Sequence, residues 1–246
     1  MREIAFAVIG GTGLYALDEL GSVERVQPET RYGTPSAPIV IGDWLGRRVA
    51  FLARHGEQHS VAPHRINYRA NIDALVQLGV KRVVAINAVG GLHEPMRPKA
   101  LVLPDQIIDY TSGRLTSFSD FEQNKVEHID FSEPYSASLR TALIAAARKS
   151  DTRLVEYGCY GCTQGPRLET TAEIAKLKRD GCDLVGMTGM PEAVLAREAK
   201  LEYASLATVA NWGAGCAGAG EITLEEIYAN LAGGLKAVRA VLAALA

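Results

Sequence analysis

Several loops that follow apolar runs hold the residues of this chain best suited to chemistry. IGGTGL, residues 9–14, sets three glycines around Thr12, so main-chain N–H groups and one hydroxyl can close on an anion. The same letters fit a loose dinucleotide pattern through Gly11, Gly13 and Ala16, or a tight structural turn. The helix that would follow is only YALDEL, and no acid ends a second strand at ribose-binding distance, so a phosphate loop is the preferred reading. ARHGEQH, residues 53–59, offers the planar donor fork of Arg54, which suits phosphate oxygens, and His55 as a further donor. His55 and His59 stand four apart, but Gly56 lies between them and no H-E-x-x-H pattern frames a metal. INAVGGL, residues 86–92, is small enough for its N–H groups to face a ligand or simply to turn. LATVANWGAG, residues 206–215, ends an apolar strand on Asn211, whose carboxamide brings one donor and one acceptor to whatever lies beyond it.

These loops need elements to hold them. Apolar, β-branched runs at 4–9, 48–53, 82–89, 100–108, 154–160, 183–188 and 203–210 read as strands. Between them, 67–79, 136–149, 170–181, 191–200 and 223–245 carry apolar residues at helical spacing, and Gly79 is a natural C-cap. Alternating strands and helices predict an α/β domain with a largely parallel sheet and helices on both faces. Residues 110–135 break that rhythm with a long polar, aromatic-dotted excursion of the kind that carries function.

Composition narrows the partner. The 246 residues carry a formal charge of −2 with no basic runs, which points away from nucleic acid and towards a small molecule. No apolar stretch is long enough to span a membrane, and MREIAFAVIGGTG lacks the parts of a signal peptide, so a cytoplasmic setting is expected. Four cysteines are too few for a disulfide scaffold. Cys159 and Cys162 form a C-x-x-C pair, but Cys182 and Cys216 form no second one, so neither zinc nor a redox dithiol is expected.

Two further stretches, TQGPRLET (163–170) and GMTGMPE (186–192), are the most specific. Taken with RHG and GGTG, they resemble the trimeric purine nucleoside and methylthioadenosine phosphorylase superfamily over essentially the whole chain. The resemblance implies a single nucleoside phosphorylase domain over 1–246, a central mixed β-sheet flanked by helices. It implies that Thr12, Arg54, His55, Ala88 and Thr188 bind phosphate, that Met187 packs under the ribose and that Leu168 lines the substrate pocket. Phosphate is then a co-substrate, and no cofactor or metal is expected. Phosphorolysis of an N-glycosidic bond needs positioning and electrostatics and no covalent side-chain nucleophile.

The resemblance divides at the base and the sugar. The methylthioadenosine enzymes end the last strand T-D-Y-D, whereas this chain has Asn211 and Gly213 there; the enzymes for hypoxanthine and guanine pair a later asparagine with the glutamate of G-P-x-F-E-T, matched here by Glu169. A 6-oxopurine presents an acceptor at O6 and a donor at N1, which suit an amide and a carboxylate; adenine reverses both. Asn211, Glu169 and His55 are therefore the expected catalytic groups. Where purine nucleoside phosphorylases place a histidine against the 5′-hydroxyl, EITLEEIY offers Leu224, Ile227 and Tyr228, either an apolar wall for a methylthio group or a helix face packed on the core. VEHIDFSEPY resembles a stretch that enters a neighbour's site, which makes His128 a contributor in trans within a homotrimer. The combination implies phosphorolysis of 5′-methylthioinosine to hypoxanthine and 5-methylthioribose 1-phosphate. A methylthioadenosine or broader purine nucleoside phosphorylase, a non-catalytic nucleoside-binding module and a dinucleotide-dependent oxidoreductase are the alternatives.

Overall fold

In the computed structural model, residues 3–11, 20–119, 126–218 and 220–245 are described. Their strands form one mixed sheet. β1 (Phe6–Gly10) lies between β4 (Arg47–Ala53) and β5 (Arg82–Gly91), parallel to both, and β5 is flanked along its other edge by parallel β10 (Glu202–Trp212). β1 and much of β5 and β10 are apolar without alternation because both faces of the sheet are covered. α1 (Tyr68–Gln77) and α4 (Glu192–Glu198) pack together, and α4 lies against β10; α2 (Ala137–Lys149) and α5 (Leu224–Leu245) also pack together and against β10. Separate apolar clusters fill the interior: one includes Ile72, Leu75, Ala193 and Leu195, and another Leu139, Leu143, Val238 and Leu242.

The sheet is mixed where a largely parallel one was expected from the rhythm of the sequence. β2 (Gly21–Val26) and β3 (Ile39–Trp44) add an antiparallel flank to β4, β6 (Leu101–Val102) runs antiparallel to β10, and β9 (Leu184–Gly186) runs antiparallel to β5. β7 (Gln106–Asp109) and β8 (Cys159–Cys162) complete that side in parallel with β9. The run 100–108 divides into β6 and β7 around Pro104, which has no N–H for a ladder. The run 154–160 gives its regular strand only from Cys159, with Val155 making an isolated bridge to Val102.

The helices follow the sequence closely, because their ends are written in side chains. Asn67 caps α1 by accepting from Ala70 N, Ser136 caps α2 through Leu139 N, and Thr170 and Glu173 form a reciprocal capping box on α3 (Thr171–Arg179).

One feature of the topology creates room for a site. β1 pairs with β5 only at Val83–Ala85, and β9 takes over the same edge only at Gly90–Gly91, so the edge between them has no strand partner among the described residues. A crevice of this kind, where neighbouring strands part near their carboxyl ends, is where ligands bind in open α/β sheets. Gly91 holds the far lip shut, since a Cβ there would lie 1.6 Å from Met96 O.

Candidate active site

The strand parting exposes Ala88, the one exposed residue between Val83 and Gly91 of β5. Described residues of the loops named from the sequence reach its neighbours: Arg54 donates to Ile86 O, Thr188 accepts from Asn87 and Asn211 lies opposite Gly90. Arg54 N donates to Gly10 O at 2.9 Å, which ties the RHG loop to the start of the glycine loop. Thr12 lies outside the described residues.

Arg54 behaves differently from the open fork expected. Its guanidinium is buried, Nε donates to Glu192 Oε2 at 2.7 Å and Nη2 donates to Glu192 Oε1 at 2.8 Å. Nη2 also donates to Ile9 O at 3.3 Å and Nη1 to Ile86 O at 3.0 Å, the latter on the β5 edge that lacks a strand. Of five N–H groups, one on Nη1 has no partner among the described residues, so Arg54 has a single directed donor to offer there. Burial opposes its charge, but the Glu192 carboxylate outweighs burial and holds the guanidinium above its ordinary pKa. Tyr203 donates its hydroxyl to Glu192 Oε1 at 2.9 Å and completes a closed, buried unit.

His55 is also set by a neighbour. Its Nδ1 lies 2.9 Å from Val61 O, a carbonyl that can only accept, so Nδ1 carries the proton and a neutral ring leaves Nε2 as an acceptor. Burial, then the charge of Arg54, pushes the imidazole down to about 4. At neutral pH His55 therefore offers Nε2 as an acceptor, where donation to an anion was expected.

Thr188 takes its polarity from a buried chain. Ser205 Oγ donates to Asn87 Oδ1 at 2.7 Å, and Asn87 Nδ2 donates to Thr188 Oγ1 at 2.9 Å. Because Thr188 accepts there, its own hydroxyl hydrogen points elsewhere, and Tyr160 Oη and an incoming acceptor such as phosphate would compete for it. Ser205 and Asn87 stand on β10 and β5, where Ser205 pairs with Ala85 and Asn87 with Ala207, so sheet register fixes the relay.

Asn211 and Glu169 are the pair expected to meet the base. The ladder between β10 and β5 shifts by one residue between Val209 and Asn211, which sets Asn211 opposite Gly90. Asn230 Nδ2 holds the bulge by donating to Ala210 O at 2.7 Å. Asn211 is 8% exposed, and Nδ2 donates to Trp212 O at 2.7 Å, leaving one N–H and the carbonyl oxygen. The turn after β10 leans on α3: a Cβ at Gly213 would meet Ile174, and one at Gly215 would meet Thr171, just two residues after Glu169. Glu169 Oε1 accepts from Thr163 Oγ1 at 2.5 Å.

Met187 is half-buried against the GPRLET turn, where Gly165, at φ +61°, leaves no room for a Cβ beside Met187 Sδ. Arg114 binds this region together: it donates to the carbonyls of Met187, Met190, Thr163 and Gln164 and to Tyr68 Oη. Its segment is anchored again where the Glu198 carboxylate accepts from Ser117 Oγ, Phe118 N and Ser119 Oγ.

The residues expected to line the substrate pocket are not closed over by the described residues of this chain. Leu224 is 68% and Tyr228 64% exposed, Leu168 is exposed, Ile227 is half-buried and His128 is exposed. The first turns of α5 therefore do not form the core-packed face that was the alternative. All four cysteines are free, and no cluster of metal-ligating side chains occurs among the described residues. No helix among them is long and apolar enough to cross a membrane.

A model of the phosphorylase superfamily matches residues 5–246. This chain belongs to that superfamily. It is 61% identical over 232 residues to a probable S-methyl-5′-thioinosine phosphorylase of Xylella fastidiosa, covering 94% of this chain and 98% of the relative. It is 46% identical over 218 residues to the 6-oxopurine nucleoside phosphorylase of Pyrococcus furiosus, covering 86% and 81%. A methylthioadenosine phosphorylase from an antarctic soil metagenomic library superposes with a TM-score of 0.92 at 37% identity, covering all of this chain and 86% of that one.

Glu192, Asn87, Ser205 and Arg114 were not singled out from the sequence. The available signal was a polar residue inside an apolar run, as with Asn87 in RVVAINAV and Ser205 in YASLATVA. For Arg114 no comparable signal existed, since its partners are main-chain carbonyls.

Proposed function

We propose that this phosphorylase cleaves S-methyl-5′-thioinosine with inorganic phosphate to give hypoxanthine and 5-methylthioribose 1-phosphate. The observation that carries the reading is the pair at the base end. Asn211 keeps one N–H and one carbonyl, and Glu169 brings an acceptor-only carboxylate, a set complementary to the O6, N7–H and N1–H of hypoxanthine as it leaves. The single Nη1–H of Arg54, the Thr188 hydroxyl and the N–H groups of the glycine loop with Thr12 would hold phosphate on the anomeric side. His55 would accept from a protonated oxygen there. With the nucleophile placed and the leaving base stabilised, the glycosidic bond can break without a covalent intermediate. The names of the 61% identical relative and of the 46% identical 6-oxopurine enzyme support the same assignment.

The 5′ end supports a methylthio group. Leu224, Ile227 and Tyr228 form an apolar face that this chain leaves open, and closure by a neighbouring subunit with His128 would complete it in a homotrimer. Sedimentation should give a trimer, and a fully active monomer would refute that assembly. Phosphate serves as co-substrate without a cofactor, and the setting is cytoplasmic purine salvage. Methylthioadenosine phosphorolysis is the second reading, supported by the methylthioadenosine phosphorylase fold match. Incubation with methylthioinosine, methylthioadenosine and inosine in phosphate, with sulfate as control, decides between them through the base released. Hypoxanthine from methylthioinosine as the fastest product is expected; adenine as the fastest overturns the proposal, and no phosphate-dependent product leaves a binding module.

A further inference from the structure

We infer that Thr163, one residue beyond β8, is the positioning residue that sets base discrimination by fixing Glu169 with one carboxylate oxygen filled and the other open. The inference rests on the reading that Glu169 faces N1 of the base. Thr163 is itself held on both sides: its N–H donates to Gly186 O at 2.8 Å, and its carbonyl accepts from Arg114 Nη2 at 3.3 Å. Its hydroxyl has one hydrogen and two acceptors within reach, Glu169 Oε1 at 2.5 Å and Gly186 O at 3.3 Å. The shorter contact to a charged acceptor takes the hydrogen.

The consequence is a carboxylate with a fixed plane. Glu169 Oε1 is occupied by Thr163, and Oε2 accepts no hydrogen bond from any described residue. An acceptor held in that attitude rewards the N1–H of a 6-oxopurine and gives the bare N1 of adenine nothing to bond to. Without the hydroxyl, Glu169 sits at the head of an exposed turn beside the Arg167–Glu173 ion pair and has no other described donor to fix its plane. Thr163 thus acts on selectivity through Glu169.

The test follows kcat/KM for methylthioinosine and methylthioadenosine in Thr163→Val, Thr163→Ser and Glu169→Gln, and in the double variant Thr163→Val/Glu169→Gln. Thr163→Val should lower the methylthioinosine to methylthioadenosine ratio by at least about fivefold, with melting temperature and phosphate KM close to the parent's. Thr163→Ser, which keeps the hydroxyl, should restore the ratio. In the double variant the Val substitution should add nothing to the effect of Glu169→Gln, since both changes act at one carboxylate. Equal losses for both substrates in Thr163→Val, or a full effect persisting in the double variant, would overturn the inference. A ratio unmoved by Thr163→Val but collapsed by Glu169→Gln overturns the role of Thr163 alone. A ratio unmoved by Glu169→Gln removes Glu169 from the base and Thr163 with it. If Thr163→Val is insoluble, Thr163→Ala carries the same comparison.

Discussion

Replacing Glu192 with glutamine asks whether the buried pair it forms with Arg54, at the proposed phosphate site, is one unit. The two side chains are 1% and 2% exposed, with Nε to Oε2 at 2.7 Å and Nη2 to Oε1 at 2.8 Å. Glutamine keeps the shape but removes the negative charge, and turns one acceptor into an N–H that faces the guanidinium or the Tyr203 hydroxyl. The remaining acceptors of Arg54, the carbonyls of Ile9 and Ile86, carry no charge. Breaking a buried pair in this way costs about 3 to 5 kcal/mol. For a chain of this length about 1 kcal/mol moves the melting temperature by roughly 2 to 4 °C, so a fall of roughly 6 to 20 °C is expected.

The same arithmetic predicts how phosphate responds. In the parent chain Arg54 already has a counter-ion, and on the proposed reading phosphate reaches a neutralised pair through one N–H. In Glu192→Gln phosphate becomes the counter-ion, so added phosphate should raise the melting temperature of the variant by more than it raises the parent's. Replacing both partners by apolar residues, Arg54→Met with Glu192→Leu, should recover much of the lost stability while abolishing phosphorolysis. Differential scanning calorimetry across a phosphate series, with sulfate alongside, reads all three quantities. A loss below about 1 kcal/mol with an unchanged phosphate response would refute the counter-ion argument, and Arg54 would revert to an ordinary anion-binding fork.

Asn211→Asp places two acceptors against O6 and loses the bond to Trp212 O, so methylthioinosine kcat/KM should fall by about 2 to 3 kcal/mol in transition-state terms while methylthioadenosine loses less. An unchanged ratio of the two substrates would make Asn211 a strand-end residue only. Leu224→His, at a position 68% exposed in this chain, should leave stability within about 0.5 kcal/mol and narrow the preference for methylthioinosine over inosine. Equal efficiencies for the two substrates in the parent would remove the apolar pocket. His55 is held down to about 4 by burial and by Arg54, so the folded chain refuses a proton that the unfolded chain accepts below its ordinary pKa near 6.5. Stability contributed by the neutral ring is present above that value and declines as pH falls from about 6.5 towards 4. His55→Gln should flatten the acid limb of melting temperature in that window, and an unaltered limb would mean another group governs it.

Sequence pattern and structure part company at particular residues. The strands covered on both faces were legible because burial makes them continuous apolar runs, as in FAVIG of β1. β2, GSVERV, is exposed over most of its length, so nothing in its composition separates it from a loop. The hairpin between β3 and β4 turns on Leu45 and Gly46, both at positive φ, and a leucine in that conformation carries none of the Asn-Gly or Asp-Gly signal of such turns. The helices were legible from their apolar spacing, and the structure shows asparagine, serine and threonine caps fixing their starts through backbone three residues away.

The site was legible to the same depth, by residue type and not by role. Glycine loops and an arginine after a strand announce an anion, since few other uses bring those residues together at strand ends. What each donor does then depends on a partner remote in sequence: Arg54 and Glu192 are 138 residues apart, Asn87 and Ser205 are 118 apart, and Asn87 and Thr188 are 101 apart. Those separations close only when β5 lies beside β10 and α4 lies beneath, so the register of the sheet decides which hydrogen each group has left to give. Arg54 loses most of its fork, His55 becomes an acceptor through the Val61 carbonyl, and Thr188 becomes a donor through Asn87. On the proposed reading, an anion site assembled in this way would read the protonation pattern of phosphate and not its charge alone. Sulfate, which offers no hydroxyl for His55 near neutral pH, is therefore expected to bind more weakly than phosphate at equal ionic strength in a thermal-shift titration. Equal shifts for the two anions would show that charge alone governs the site.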